Sequence, residues 1–205
     1  MGKLIITIGR QYGSSGRYIG SLVAKELGIP FYDEELISLA VDKSGLCKDA
    51  VEKADERNAS SLLYSIVTGT SSMLHPTQYN MPVNDKLFLV QSEIIKDIAS
   101  KGSAVIIGRC ADYVLRDDGD MLSVFFHADE KIRAKKIAER NGISETEATS
   151  LINKTDRRRA SYYSFYTGNR WGDAKNYDMC IDTGKTGSEK AAKMLVAYAK
   201  SVIEE

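Results

Sequence analysis

"KLIITIGRQYGSSGRYIG", Lys3 to Gly20, sets an apolar run directly against a glycine-rich loop and the start of a helix-period segment. The run Leu4–Ile8 is continuous rather than alternating. That is the pattern of a strand buried on both faces, and so of a parallel sheet covered by helices. In a strand–loop–helix unit the loop lies at the carboxyl end of the strand, and the helix turns its unpartnered amides and the positive end of its dipole toward it. Anions bind there, and glycines let the backbone wrap a phosphate closely. Gly13, Ser14, Ser15 and Gly16 supply such a loop, and Arg17 a charge at the helix start. Against the phosphate-loop pattern G-x-x-x-x-G-K-[ST], Gln11 stands at the first glycine, Arg17 at the lysine and Tyr18 at the hydroxyl. A cation in the first turn of a helix is unfavourable by itself, so Arg17 predicts a bound anion. The plainer alternative is a tight strand-to-helix turn made by Gly13 and Gly16.

Further apolar runs extend the pattern: Ala104–Gly108, Leu122–Phe126, Tyr177–Asp182 and the shorter Ile29–Asp33. Helix-period segments lie between them. Ile19, Leu22, Val23 and Leu27 share one face of a helix that stops at Gly28, and Lys86–Lys101 ends the same way at Gly102. A third helix opens on Asp129 and Glu130 and closes at Asn141-Gly142. Ser144 with Glu147 three residues on is a capping box for a fourth, and a last helix starts near Ser188. Strands alternating with helices predict an α/β fold with a doubly wound parallel sheet of five strands. No strand pattern occurs between about 43 and 84, and that stretch reads as a helical insertion in a single domain spanning 1–205.

The charge balance is even, 28 Lys and Arg against 28 Asp and Glu. The chain as a whole is therefore not built to coat nucleic acid or an anionic membrane, and basic chemistry must be local. Cys47, Cys110 and Cys180 are far apart and form no metal-ligand spacing. They fit a reducing cytoplasm, and the chain's opening reads as a strand rather than a secretory signal. His75 and His127 are isolated and support no hydrolytic triad.

Four segments carry a resemblance. "ITIGRQYGSSGRYIG" with "LVAKELGIPFYDEELI" (Leu22–Ile37), "VIIGRCADYVL" (Val105–Leu115), "RRRASYYSFYTGNRWGD" (Arg157–Asp173) and "NYDMCIDTG" (Asn176–Gly184) together resemble the cytidylate kinase-like family. The resemblance implies a P-loop nucleoside-monophosphate-kinase fold with an NMP-binding insertion, a lid at about 144–175, ATP and Mg²⁺ as cofactors, and phosphoryl transfer to a nucleoside monophosphate such as CMP or dCMP. It places the phosphate loop at Gln11 to Arg17, with Tyr18 next in line. A substrate-binding arginine falls at Arg109, a lid pair at Asp156 and Arg159, and a nucleotide contact at Asp182-Thr183. Asp33 is kept on the acceptor side. In departure from the family, Glu34 and Leu39 replace a serine and an arginine there, and His127 replaces an aspartate that reads cytosine.

Phosphoryl transfer needs in-line positioning and fixed cations where charge accumulates. Arg17, Arg157 and Arg159 are the candidate catalytic cations. Arg157, Arg158 and Arg159 spread over much of a helix circumference, so at least one faces a cleft if that helix is a lid. Arg133 and Arg140, two turns apart, either join that cleft or form a solvated face. Tyr162, Tyr163, Phe165, Tyr166 and Trp171 either stack on a ligand or pack the lid onto the core. Ser14, Ser15 and Asp33 are the weak metal-ligand candidates. Two other readings stay open: a nucleotide-binding module without turnover, and a kinase of another small metabolite.

Overall fold

The computed structural model describes residues 3–33 and 83–203. The expected insertion at 43–84 lies outside them but for Val83 and Asn84, which open a helix; Glu34, Leu39, Cys47 and His75 also lie outside. Strands β1 (Ile5–Arg10), β2 (Phe31–Tyr32), β3 (Ala104–Ile107), β4 (Met121–His127) and β5 (Met179–Asp182) form one all-parallel sheet in the order β2-β3-β1-β4-β5. The helices are α1 (Gly16–Leu27), α2 (Val83–Lys101), α3 (Ala111–Val114), α4 (Glu130–Asn141), α5 (Glu145–Thr167), α6 (Thr183–Thr186) and α7 (Ser188–Ile203).

The unbroken apolar runs are explained by burial on two sides. Ile6 and Ile8 of β1 face α1 and α7, in a core completed by Ile19, Val23, Leu195 and Val196. Ile5 faces the opposite layer, against Leu87, Ile94 and Ile95 of α2. Strand ends differ from the sequence reading. β1 runs on through Gly9 and Arg10 because β4 continues beside it, pairing Arg10 with Phe126. β5 starts two residues later than expected, since the amide of Tyr177 is taken by a turn to Ala174.

Helix ends follow their local chemistry. Gly28 and Gly142 end α1 and α4 in left-handed conformations. The capping box at α5 is present: Glu147 N–H donates to Ser144 Oγ (3.2 Å), and Ser144 N–H donates to Glu147 Oε2 (2.9 Å). Residues 145–167 form one helix, α5, whose first half packs on α4 through Ala148 and Ile152. Its aromatic second half packs on α2: Tyr166 stacks on Phe88 at 4.1 Å between ring centroids, and Tyr162 O–H donates to Gln91 Oε1. The aromatic run therefore fixes α5 to the core, and Trp171 packs edge-on against Phe125 of β4.

Candidate functional site

β1 lies between β3 and β4, and the connections leaving β1 and β4 run to opposite sides of the sheet. That divergence opens a crevice beyond the carboxyl ends of β1 and β4, where α/β folds bind ligands. The loop Gln11–Ser15 sits in it. Gln11, at a glycine position of the phosphate-loop pattern, ties the loop to β4: its amide donates to Phe126 O (2.9 Å), and its Oε1 accepts from Ala128 N–H (3.1 Å). Ser14 is fully buried and spends its hydroxyl on Gln11 O. Gly13 (φ 82°) and Ser15 (φ 65°) are both left-handed, which bends the backbone around a concavity. No side chain caps α1, whereas Asp129 and Ser144 cap α4 and α5. The first amides of α1 are thus left for an anion.

Cations surround this loop. Arg17 Nε contacts Asp33 Oδ2 at 2.5 Å, and Arg10 Nη2 lies 4.0 Å from Asp33 Oδ1. Arg159 Nη1 donates to Arg10 O (3.0 Å), and Lys136 Nζ of α4 donates to Ser15 Oγ. Burial, then the neighbouring Arg159 guanidinium, push Arg10 down to about 9, with Asp33 pulling the other way and Arg109 and Arg17 adding to the depression. Arg159 is pushed down as well, by burial first and by Arg109, against Asp156. A guanidinium does not surrender its proton readily; the shifts reflect burial first and the like charges gathered in the crevice second.

Two helices clamp the loop. Arg133 of α4, buried, donates from Nε to Ala128 O and from Nη1 to Tyr12 O, both 3.0 Å. The same Nη1 lies 2.6 Å from Asp156 Oδ2, while Asp156 Oδ1 accepts from Tyr12 N–H at 2.7 Å. The Tyr12 ring sits under the guanidiniums of Arg140 and Arg159. Asp156 and Arg159 do share a face of α5, turned toward β1. Asp156 is engaged with the loop's backbone, and Arg133 is a buried strap rather than a solvated residue.

A second cavity, about 230 Å³, opens beside the loop at the ends of β1 and β3. Arg109 and Arg158 line it with Tyr162, Tyr163, Trp171 and Tyr177. Its floor is strained: Gly108, Arg109 and Cys110 are successive left-handed residues at φ 70°, 55° and 54°. Such runs of non-glycine residues cost energy and gather at functional sites. Glycine suits 108 by its left-handed backbone, and a β-carbon there would push aside the end of the Arg10 guanidinium. Burial raises the Asp112 carboxyl, although Tyr163 O–H donates to it at 2.6 Å. Tyr177 Oη, buried close to Tyr163 and the Gly172 backbone, closes no hydrogen bond of ordinary geometry among the described residues.

Arg10 and Arg159 line both this cavity and the groove of about 900 Å³ over the loop. The structure thus brings together Gly13, Ser15, Gly16, Arg17, Tyr18, Asp33, Arg109 and Arg159. It places Arg157 elsewhere: exposed, in a shallow groove with Thr149 and Asn153 on another side of α5. Asp182 caps Gly184 N–H, and the Thr183 hydroxyl lies 2.9 Å from Ser14 O and 3.0 Å from His127 O, joining β5 to the loop. No cluster of three His, Cys, Asp or Glu occurs among the described residues. No described helix is long and apolar enough to cross a membrane. Residues that sequence reasoning passed over are Arg10, Tyr12, Asp112 and Lys136. The spacing 133–136–140 on α4 was the available signal for Lys136, since it repeats one helix face.

The sequence profile described as the cytidylate kinase-like family matches residues 5–185. A cytidylate kinase of Sulfurisphaera tokodaii is 25% identical over 109 residues, covering 53% of this chain and 60% of that protein. The chain thus spans 60% of the length of that curated relative. Among solved structures, an uncharacterized protein from Eubacterium ventriosum ATCC 27560 is 29% identical, with 97% and 99% of the two chains covered and a TM-score of 0.72. Shikimate kinase from Bacteroides thetaiotaomicron is 12% identical and covers both chains fully at a TM-score of 0.54, a likeness of fold alone. The matched span takes in the loop, the arginine-floored cavity and the strapping helices, and on it the chain belongs to the cytidylate kinase-like family.

Proposed function

We propose that the protein transfers the γ-phosphoryl group of ATP to a small phosphate-bearing acceptor, with a nucleoside monophosphate of the CMP or dCMP type as the first choice. The observation that carries this reading is the shared wall: Arg10 and Arg159 line the groove over the loop and the adjoining cavity alike. A triphosphate with its tail in the loop and an acceptor phosphate on Arg109 would meet across those two guanidiniums. An oxygen of the acceptor phosphate would bond to the γ-phosphorus while the bond to the β–γ bridging oxygen breaks, ADP leaving with the electron pair. Arg10 and Arg159 would face the charge that develops on the transferring group. Aromatic side chains and the unsatisfied Tyr177 hydroxyl suit the non-phosphate end of an acceptor.

The oxygen donors near the loop, Ser15 Oγ and the Asp33 carboxylate, already have cationic partners in Lys136 and Arg17. They fit a Mg²⁺ ion that would arrive on the polyphosphate, keep several waters and be held by Ser15 and Asp33; bound, it would neutralise the β- and γ-phosphate oxygens. Transfer from ATP to CMP, dCMP, UMP, AMP and non-nucleotide acceptors tests the reading. Turnover strongest with CMP or dCMP is expected, and no transfer to any acceptor by folded protein overturns it. The engagement of Arg17 by Asp33 favours one second reading, an ATP-binding protein without turnover; stabilisation by ATP with no product in any assay would establish it.

A further inference from the structure

The position where phosphate loops carry lysine is Arg17 here, and its Nε is held by Asp33 at the end of β2, on the acceptor side of the crevice. A different lysine reaches the loop. Lys136, in the middle of α4, places its ammonium on the hydroxyl of Ser15, the left-handed residue that turns the loop into α1. We propose that Lys136 supplies the cation for the polyphosphate tail held in the Gly13–Gly16 loop, and that Arg17 with Asp33 serves the acceptor side. The proposal rests on the ATP reading above and names the residue that makes the loop work without its own lysine.

The delivery of Lys136 is built into the packing. α4 lies directly on the loop at Gly13: a β-carbon there would fall 3.1 Å from Arg133 Cβ and 3.2 Å from Ile137 Cγ1. Arg133 locks the helix in register through Tyr12 O, Ala128 O and Asp156. Residues 133, 136, 137 and 140 recur on one helix face. With Arg133 and Ile137 seated on the loop and Arg140 on the Tyr12 hydroxyl, Lys136 is aimed at Ser15. Lys135 and Lys136 are both exposed, but Lys135 has no contact of this kind among the described residues. A compact ammonium suits a position between two phosphate groups, where a planar guanidinium prefers a two-oxygen fork. The cation also comes from an element strapped to α5, so the loop is complete only when α4 and α5 are docked.

Binding of ATP, and separately of inorganic triphosphate, is measured by calorimetry on the full chain and on Lys136→Met, Lys136→Arg, Lys135→Met and Arg17→Met, each checked for an unchanged melting temperature. Lys136→Met is expected to weaken both ligands about ten- to a hundredfold, the worth of a charge-assisted hydrogen bond. Lys136→Arg should fall between, and Lys135→Met should bind as the parent does. Parent-like binding by Lys136→Met, with the loss appearing in Arg17→Met instead, overturns the proposal and returns the role to Arg17. Failure of the parent protein to bind either probe overturns the ATP reading itself, and the proposal with it.

Discussion

Replacing Asp156 by alanine separates a structural strap from a ligand contact. The family resemblance assigns this aspartate to the nucleotide, whereas the structure gives both its oxygens to the protein, at 2.7 Å from Tyr12 N and 2.6 Å from Arg133 Nη1. The Arg133 side chain is only 6% exposed and that of Asp156 is 16%. Alanine at 156 leaves a buried guanidinium facing two carbonyls with no counter-charge, and strips the Tyr12 amide of its acceptor. Removing one partner of a buried pair costs about 3–5 kcal/mol; the residual exposure of Asp156 admits some water, so about 3 kcal/mol is expected. For a chain of this size that lowers the melting temperature by roughly 6–12 °C, out of a total stability on the order of 5–15 kcal/mol.

Urea unfolding followed by circular dichroism, with the denaturant slope checked for constancy, measures the loss. Asp156→Asn keeps an acceptor for the Tyr12 amide and is expected to lose about half as much, by the ordinary worth of a hydrogen bond to a charged group. Arg133→Met combined with Asp156→Leu leaves no buried charge and is expected to recover part of the loss, the remainder being the Tyr12 amide and the two carbonyls left without partners. Were Asp156→Ala as stable as the parent and deficient only in nucleotide affinity, the strap would be refuted and the residue would be a ligand contact after all.

Gly13→Ala is expected to cost about 2 kcal/mol, from the left-handed backbone and the encroachment on Arg133 and Ile137, and to weaken ATP binding by lifting α4; unfolding and calorimetry on one preparation report both. Arg109→Gly relieves a left-handed residue and its repulsion of Arg10 and Arg159, so it should gain about 1 kcal/mol of stability while losing acceptor turnover. A stability loss there, read by urea midpoint, would contradict the strain assignment. Asp112 has a folded-state pKa above its unfolded value because burial disfavours its charge. The folded state then binds the extra proton, and stability falls as pH rises from the ordinary aspartate range through the raised folded value. Asp112→Asn, which still accepts from Tyr163, should remove that part of the fall and be the more stable protein at neutral pH; parallel pH profiles of the urea midpoint for the two proteins would rule this out.

How much of this was legible in the sequence depends on the distance over which each feature is decided. Ile5, Ile6, Ile8, Ile106 and Ile107 announce buried strands by themselves, because a strand covered on both faces needs no polar alternation. Gly28, Gly142 and the Ser144–Glu147 pair mark helix ends because capping is settled within four residues. The ends of β1 and β5 were misplaced because a strand stops where its neighbour stops, and the pairing of Arg10 with Phe126 is not written near Arg10. The loop could be recognised from its glycines, yet the directions of Arg17 and Lys136 could not. Arg17 turns to Asp33, sixteen positions further along the chain, and Lys136 reaches Ser15 only because Gly13 admits α4. Arg133, Lys135, Lys136 and Arg140 are alike as letters; docking makes the first a buried strap and the third a loop contact, and leaves Lys135 in solvent.

The same dependence on distance gathers like charges at the site. Arg10, Arg17, Arg109 and Arg159 converge near the carboxylates of Asp33 and Asp156, and the depression of Arg10 to about 9, owed first to burial, also carries the effect of the neighbouring guanidiniums. Gly16 and Gly108 leave room for Arg10: a β-carbon at Gly16 would fall 2.6 Å from Arg10 Cβ, and one at Gly108 would meet its guanidinium. A fold retains such a concentration when anions offset it, since any ligand that binds only the folded state adds its binding free energy to stability. Arg10 and Arg159 line both openings, so an anion bound in either would meet the same two guanidiniums. Two anions would relieve the same repulsion, so the second to bind would gain less than the first, and under the proposed reaction donor and acceptor would compete for that positive charge. Asp33, tied to Arg17 and within reach of Arg10, and Asp156, beside Arg159, offset part of that charge.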